Sequence, residues 1–325
     1  MRSALPVFVA LLLFLVWSNS FVAIGFLLGS DSAAARFDWT SLTVARFVTI
    51  FPICLVVCWR RRREVADLFQ RHPLRLVVCA LLAVPGYNFA LYYGQQHGVP
   101  APIASLTTTL VPLFVIGLAV LFLGETLTVW RAAAFALSFA GMLVIAFAKR
   151  GAGVPGGYGL SVAVTALAPL CWSLFTVLSK PIAGTVPPLL WTYAYIGLGT
   201  LPLLVMLPFT GGPELLALDG TGWAAVLFLS LACTALGFVL WGWLLRRLPA
   251  STVGLTVFLN PPLTSLSKFT LSLLFPATFL FRIGPLEWLG GAIVLGGLAL
   301  ALVGPRWAVE VQRRVRSTDD PSGVL

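Results

Sequence analysis

Residues 89–112 read FALYYGQQHGVPAPIASLTTTLVP, and residues 238–261 read FVLWGWLLRRLPASTVGLTVFLNP. At an offset of 149 residues the two stretches are identical at eight of 24 positions. A chain that resembles itself at a fixed spacing is built from copies of one structural unit. The identical pairs are Phe89/Phe238, Leu91/Leu240, Pro100/Pro249, Ala101/Ala250, Leu106/Leu255, Thr107/Thr256, Leu110/Leu259 and Pro112/Pro261.

Two further matches extend the repeat to both sides. Trp17-Ser18 recurs as Trp172-Ser173 at an offset of 155, and Gly141 recurs as Gly297 at an offset of 156. The step from 149 to 156 places seven additional residues in the second copy, within 263–284, so that region should be the least regular. We therefore divide the chain into a first unit at 1–150, a second unit at 151–305 and a tail at 306–325.

Both units are strongly apolar. Hydrophobic residues make up 59% of the 325 positions and charged residues only 10%, whereas soluble domains carry about 25% charged residues. A helix needs about 20 apolar residues to cross roughly 30 Å of hydrocarbon. The sequence predicts an all-α integral membrane protein with ten transmembrane helices, at 5–28, 40–59, 74–93, 100–123, 128–147, 158–180, 188–207, 222–245, 249–275 and 285–303.

The basic residues indicate how these spans are oriented. If the N-terminus is inside, 15 of the 21 Lys and Arg lie in inner segments and four in outer segments. Basic residues accumulate on the cytoplasmic side, so we predict a multi-pass protein of the cell membrane with both termini cytoplasmic. Because each unit has an odd number of crossings, the two five-helix repeats should be inverted. The cluster Arg60–Arg63 should attract anionic lipid, and a nucleic-acid partner is not expected.

Several motifs occur in an order that is typical of one family. They are WSNSFV at 17–22, ARF at 45–47, Pro112 followed by LGETLT at 123–128, Asn260-Pro261, and PLEWLGG at 285–291. Over about residues 5–303 the sequence resembles the EamA-type drug/metabolite transporter superfamily. The resemblance implies ten helices in two inverted repeats and export of metabolites, amino acids or drugs without ATP hydrolysis. One element departs from the family, because no Leu-Gly-Glu precedes the predicted tenth helix.

Polar side chains inside the spans are candidates for the solute pathway, because hydrocarbon penalises them unless they face protein or water. Aromatic walls with few hydrogen-bonding groups suit a small amphipathic solute. Arg46 either faces inward or extends to the outer surface, Tyr92 fits an interfacial belt equally well, and Lys268 is a weaker candidate. The predicted substrate-binding residues are Asn19, Arg46, Tyr87, Asn88, Tyr92, Trp172, Ser173, Trp241 and Asn260.

Pro112 and Pro261 occupy the same repeat position inside apolar spans. Proline removes a backbone donor and broken helices commonly form transporter sites, so we predict a helix-breaking or gating role, with a simple packing kink as the alternative. Glu125 is expected to be structural, either capping the turn into the fifth span or pairing with Arg131. No acidic residue lies in the middle of a span, so a proton-relay carboxylate is not expected.

Two other functions compete with transport. Gly159-Leu160-Ser161 faintly suggests an intramembrane serine hydrolase, but His72 and His97 both lie in connections and precede the serine, which leaves it without the usual base. A membrane protein that binds a partner without transporting anything is the third interpretation. The sequence contains no zinc or phosphate-loop motif, so we expect no cofactor or metal.

Overall fold

The computed structural model describes residues 4–29, 35–97, 99, 104–105, 107–148, 158–274, 285–286, 288–297 and 299–300. Every regular element in these ranges is a helix, which confirms the predicted all-α class. The predicted tail at 306–325 lies outside the described residues, and so do residues 275–284 of the region expected to be irregular. The described part of that region is helical up to Leu274.

Within the described residues, the first repeat contributes six helices. They are α1 (Ala4–Leu27), α2 (Trp39–Arg60), α3 (Arg62–Arg71), α4 (Pro73–Gln96), α5 (Leu110–Leu123) and α6 (Val129–Ala148).

The second repeat begins with a helix that is broken at Ala166 and continues in the same order. A 3₁₀ turn at Thr256–Leu259 joins the helices Ala250–Leu255 and Asn260–Leu274. The described helices are α7 (Tyr158–Thr165), α8 (Leu167–Ala183), α9 (Pro188–Met206), α10 (Gly212–Leu216), α11 (Gly220–Arg247), α12 (Ala250–Leu255), α13 (Asn260–Leu274) and α14 (Trp288–Gly297).

Six of the described helices are long and apolar enough to cross a membrane, namely those at Leu5–Leu27, Trp39–Arg60, Pro73–Gln96, Ala163–Ala183, Pro188–Met206 and Gly220–Arg247. Shorter apolar helices lie at Leu110–Leu123, Val129–Gly141 and Trp288–Gly297. Spans of this length and composition are those of an integral membrane protein. The count of ten crossings stays a prediction.

Helices of the two repeats pack against each other rather than forming separate bundles. The first repeat's α2 packs along α9, α5 lies between α8 and α12, and α1 contacts α11 and α13. The repeat-equivalent glycines Gly141 and Gly297 both lie where α6 meets α14. A Cβ added to Gly141 would stand 2.7 Å from Gly290 O, and one on Gly297 would stand 2.8 Å from Ser138 N. The repeats therefore share one interior.

Two acidic residues start helices at the membrane boundary. Asp38 accepts hydrogen bonds from the backbone N–H groups of Thr40 and Ser41, at 2.7 and 2.9 Å, and caps α2. Burial raises the pKa of the Asp38 carboxyl, but hydrogen bonds from Thr40 and Ser41 outweigh it and leave that pKa below 3.8. Asp219 caps α11 through the N–H of Gly222, at 2.7 Å.

Two crossing helices contain π-helical segments at matching repeat positions. In α4 the segment is Leu82–Gly86, where Pro85 has no N–H to donate, and in α11 it is Phe228–Leu236. Backbone N–H groups of the residues that follow, Tyr87 and Gly237, donate to carbonyls five residues back. Such π-bulges redirect nearby side chains and are frequent at functional sites.

Candidate functional site

A central cavity lies where the broken helices of the two repeats meet. The centre of a water-sized molecule can move through about 40 Å³ of it. From the first repeat it is lined by Thr108, in the turn that interrupts the helix before α5, and by Val111, in the first turn of α5. From the second repeat it is lined by Val257, in the 3₁₀ turn before α13, and by Asn260, the first residue of α13. These are the same positions in the two repeats at the offset of 149. The cavity is thus built symmetrically from two discontinuous helices.

A second repeat-equivalent pair forms the aromatic wall. Trp17 and Trp172 meet edge to face with ring centroids 5.3 Å apart, and Phe238 lies 6.0 and 5.2 Å from them. Tyr87 contacts Trp172 at 5.2 Å. Trp241 lies behind this wall, fully buried at 5.5 Å from both tryptophans. Such pairs gain energy beyond their buried area, so the wall is a rigid apolar surface.

Trp17 takes its position from the π-segment of α11. Its Nε1 donates to Cys233 O at 2.8 Å, and Cys233 belongs to the segment Phe228–Leu236. Gly237 makes room for the ring, because a Cβ there would overlap Trp17 Nε1. Sequence reasoning did not select Trp17 as a site residue, although its match to Trp172 carried the signal.

Arg46 is the charged group of the cavity. Its side chain is only 5% exposed and reaches inward from α2, so it does not extend to the outer surface. Arg46 Nε donates to Thr234 Oγ1 at 2.7 Å, and Nη1 donates to Asn88 Oδ1 at 3.1 Å and to the Tyr92 hydroxyl at 2.5 Å. The guanidinium is therefore fixed by three neutral acceptors on α4 and α11.

Two of those acceptors lie in or directly after a π-segment. Thr234 belongs to Phe228–Leu236 and itself donates to Leu229 O at 2.9 Å. Asn88 follows Leu82–Gly86 and donates to Val84 O at 2.8 Å. The irregular backbone thus orients both side chains towards Arg46. Thr234 carried no signal in the sequence, because a threonine within an apolar run has many ordinary roles.

The structure brings together seven of the nine predicted substrate-binding residues. Arg46, Tyr87, Trp172 and Asn260 line the cavity, and Asn88, Tyr92 and Trp241 hold or back them. Two do not line the cavity: Asn19 Nδ2 donates to Leu15 O on its own helix at 2.7 Å, and the Ser173 hydroxyl lies 2.6 Å from Pro169 O and 3.3 Å from Val111 O, behind the lining.

The other singled-out polar residues have definite places. Pro112 and Pro261 lie in the first turns of α5 and α13, directly after the two breaks, where a missing N–H costs nothing. Asn260 Nδ2 donates to Thr108 Oγ1 at 3.4 Å and so links the two broken helices. Lys268 is buried on α13 and does not line the cavity.

Glu125 joins the connection before α6 to the start of α12. Its carboxylate lies 3.6 Å from Arg131 Nη1, which confirms that predicted pair. The cap is different from the expected one, because Glu125 accepts from Ala250 N at 2.7 Å and from Ser251 N at 3.3 Å and thus caps α12. The fifth span begins instead at Thr128, whose hydroxyl accepts from Arg131 N at 3.3 Å.

Lys180 of α8 binds the residues that lead into α12. Its Nζ donates to Leu245 O at 2.5 Å and to Leu248 O at 2.6 Å, at the end of α11. All six residues of α12 are buried behind these contacts. Lys180 and Glu125 therefore hold α8 and the connection before α6 against the junction of α11 and α12.

Comparisons with known proteins agree with this architecture. The model of the EamA-like transporter family matches residues 4–147 and again residues 159–303. The "Probable terminal-alkyne amino-acid exporter" of Streptantibioticus cattleyicolor is 28% identical over 302 residues, which cover 92% of this chain and 94% of the relative. Protein RarD of Streptomyces exfoliatus is 28% identical over 232 residues, 71% of this chain and 68% of that protein.

Two further matches extend these. The uncharacterized transporter YyaM of Bacillus subtilis is 24% identical over 251 residues, 76% of this chain and 78% of the relative. A solved crystal structure with 21% sequence identity matches with a TM-score of 0.68 and covers 92% of this chain and 97% of its own. At that identity the likeness concerns the fold.

Proposed function

The chain belongs to the EamA-like transporter family, and from that premise we propose that it is a secondary transporter exporting small metabolites, such as amino acids or drug-like solutes, by alternating access. One observation carries the proposal: the cavity is lined by the same positions of both repeats, at the breaks before α5 and α13. Inverted repeats that meet at discontinuous helices are the architecture from which alternating access arises.

The topology is part of the proposal. We propose ten crossings: α3 and α10 lie in predicted connections, and each of the other described helices overlaps one predicted span, with α7 and α8 in the sixth and α12 and α13 in the ninth. We place both termini in the cytoplasm because of the basic-residue bias, and that puts Glu125 at the inner end. We also expect anionic lipid to bind at the basic cluster Arg60–Arg63.

The solute contacts follow from the cavity. Tyr87 and Trp172 present aromatic faces, and Arg46 and Asn260 present polar groups. Asn88, Tyr92 and Trp241 support them from behind, while Pro112 and Pro261 start the two helices that move during gating. The name of one relative, an amino-acid exporter, makes amino acids the first solutes to test.

A flux assay tests the proposal. The purified protein in liposomes should move members of a panel of amino acids and small metabolites, and Trp172→Ala should reduce the flux at least tenfold because it removes the central aromatic face. Trp223→Ala is the matched control, since Trp223 is 37% exposed on α11 and remote from the cavity lining.

The alternatives give different results in that assay. An intramembrane enzyme would convert a panel member chemically, and a non-transporting binding protein would bind one without flux. Either result, or a Trp172→Ala variant with unchanged flux, would contradict the proposed function.

A further inference from the structure

Arg46 is a buried cation without an anionic partner. Of the described residues that line the cavity, Arg46 alone is charged. The ion pairs among the described residues join acids to Arg36, Arg61, Arg71 and Arg131, and Arg46 is in none of them. Arginine stays protonated in proteins, and an intramembrane charge is costly unless it is paired. The cavity therefore offers one uncompensated positive charge.

The hydrogen bonds of Arg46 leave a defined part of the guanidinium for a ligand. Nε and both hydrogens of Nη1 are used on Thr234, Asn88 and Tyr92. Nη2 donates to no described atom, and Arg46 takes part in the lining of the cavity. Two N–H donors thus remain, held in place by bonds on the other side of the same group. This is the chemistry that receives a carboxylate oxygen.

A second unsatisfied group lies on the same cavity. Asn260 is 4% exposed, and its buried Oδ1 has no hydrogen-bond partner among the residues that the structure describes. A buried acceptor without a donor costs free energy. A solute that carries an N–H or O–H donor next to its carboxylate would satisfy both groups at once.

We propose that the transported solute is a monocarboxylate with an apolar or aromatic body and a neighbouring hydrogen-bond donor, whose carboxylate binds Arg46 Nη2 and whose donor binds Asn260 Oδ1. This assignment rests on the proposed transport function and makes Arg46 its specificity-determining residue. The aromatic wall of Trp17, Trp172 and Phe238 receives the apolar body.

The charge of the cavity excludes other solute classes. A cationic drug or polyamine would meet Arg46 without any carboxylate among the described lining residues to balance it. A phosphate dianion would bring two charges to one guanidinium. A solute carboxylate places its negative charge against the one positive charge of Arg46 in a cavity of low dielectric, and in an amino acid the neighbouring ammonium is the donor for Asn260 Oδ1.

The experiment compares solutes that differ only at the carboxylate. Phenylalanine, leucine and propargylglycine would each be tested with its amide and its decarboxylated amine, as competitors and as substrates of wild-type protein in liposomes. Phenylpropionate, which keeps the carboxylate and lacks the amine, completes the set. We expect the acids to bind about 10- to 100-fold more tightly than their amides or amines, the range for a lost hydrogen bond between charged groups.

Two variants assign the selectivity to residues. Arg46→Gln should remove the preference for acids over amides, and Asn260→Leu should remove the preference for phenylalanine over phenylpropionate. Arg71→Gln is the matched control, because Arg71 is 71% exposed on α3. The comparison of solutes on the wild-type protein decides the question even where Arg46→Gln fails to fold.

The outcomes separate this inference from the proposed function. Flux of amides or amines at the same rate as the acids would overturn the carboxylate assignment and leave the transporter intact. An acid preference retained in folded Arg46→Gln would overturn the role of Arg46. Absence of both flux and binding for every compound would overturn the proposed function and the inference together.

Discussion

Removal of the Glu125 carboxylate should open the end of the molecule that it closes. The carboxylate belongs to the connection between α5 and α6, and its acceptor bonds go to Ala250 and Ser251 of the other repeat. Any movement that opens this end must break them. A side-chain cap contributes about 1 kcal/mol, and hydrogen bonds to a charged group contribute about 1.5 to 3 kcal/mol.

We therefore expect Glu125→Ala to favour opening by about 2 to 3 kcal/mol, roughly 30- to 150-fold in the equilibrium. Glu125→Gln keeps an acceptor and loses the charge, so about 1 kcal/mol, or roughly fivefold, is expected. Thr252 on α12 is 5% exposed in the closed state. A single cysteine there, with the native cysteines replaced, should react with maleimide faster by these factors.

Glu214→Gln provides the matched control. Glu214 also caps a helix, through Gly211 N at 2.8 Å, but the contact stays within one connection. Its variant should leave the labelling of Thr252→Cys unchanged. A labelling rate in Glu125→Ala within twofold of the parent, in protein that melts normally, would refute the idea that this contact holds the end closed.

Three further changes follow from the packing and the charges. Gly237→Ala should displace the Trp17 ring, shift tryptophan fluorescence and weaken solute binding about tenfold or more, since the added Cβ overlaps Trp17 Nε1; unchanged binding would contradict this. Gly297→Leu should lower the melting temperature, because overpacking costs about 1 to 3 kcal/mol and the new side chain meets Ser138, whereas Gly117→Leu, with open space around it, is the control. Hydrogen bonds from Gly222 N–H and Arg36 lower the pKa of the Asp219 carboxyl to about 2. The contribution of this carboxylate to the stability of the fold should therefore be complete above about pH 4 and be lost as the pH falls through about 2. The melting temperature of Asp219→Asn should not show this decrease between about pH 4 and about pH 2.

Repeat-equivalent residues meet in the structure. Trp17 and Trp172 match at an offset of 155, and their rings touch in the cavity wall. Asn88 and Tyr92 are four residues apart, a spacing that places both on one helix face, and both accept hydrogen bonds from Arg46. Helical periodicity and an internal repeat are patterns of the sequence itself, so they can be recognised without the structure.

Other features depend on how helices rotate and on contacts between distant residues. Whether Arg46 faced inward or outward depended on acceptors such as Thr234, 188 residues away. Asn19 donates its side-chain N–H to Leu15 O on its own helix, a hydrogen bond that any asparagine in a helix can form. The pair of Glu125 with Arg131 was predicted correctly from neighbouring residues. The helix that Glu125 caps was not, because Ala250 lies 125 residues further along the chain.

The hydrogen bonds between Glu125 and the start of α12 have no full counterpart in the second repeat. At offsets of 149 and 156 the matching residues are Leu274 and Phe281, and no acidic residue occurs between 263 and 284. The two donors of Ser251 are missing too, since Ser251 corresponds to Pro102, which has neither an N–H nor a hydroxyl, and only the N–H of Ala250 has a counterpart, at Ala101. In the proposed inverted arrangement equivalent residues lie at opposite faces, so these bonds of Glu125 would act at one face alone. We therefore expect the resting protein to favour closure at the Glu125 end, and the Glu125→Ala variant to lose that bias.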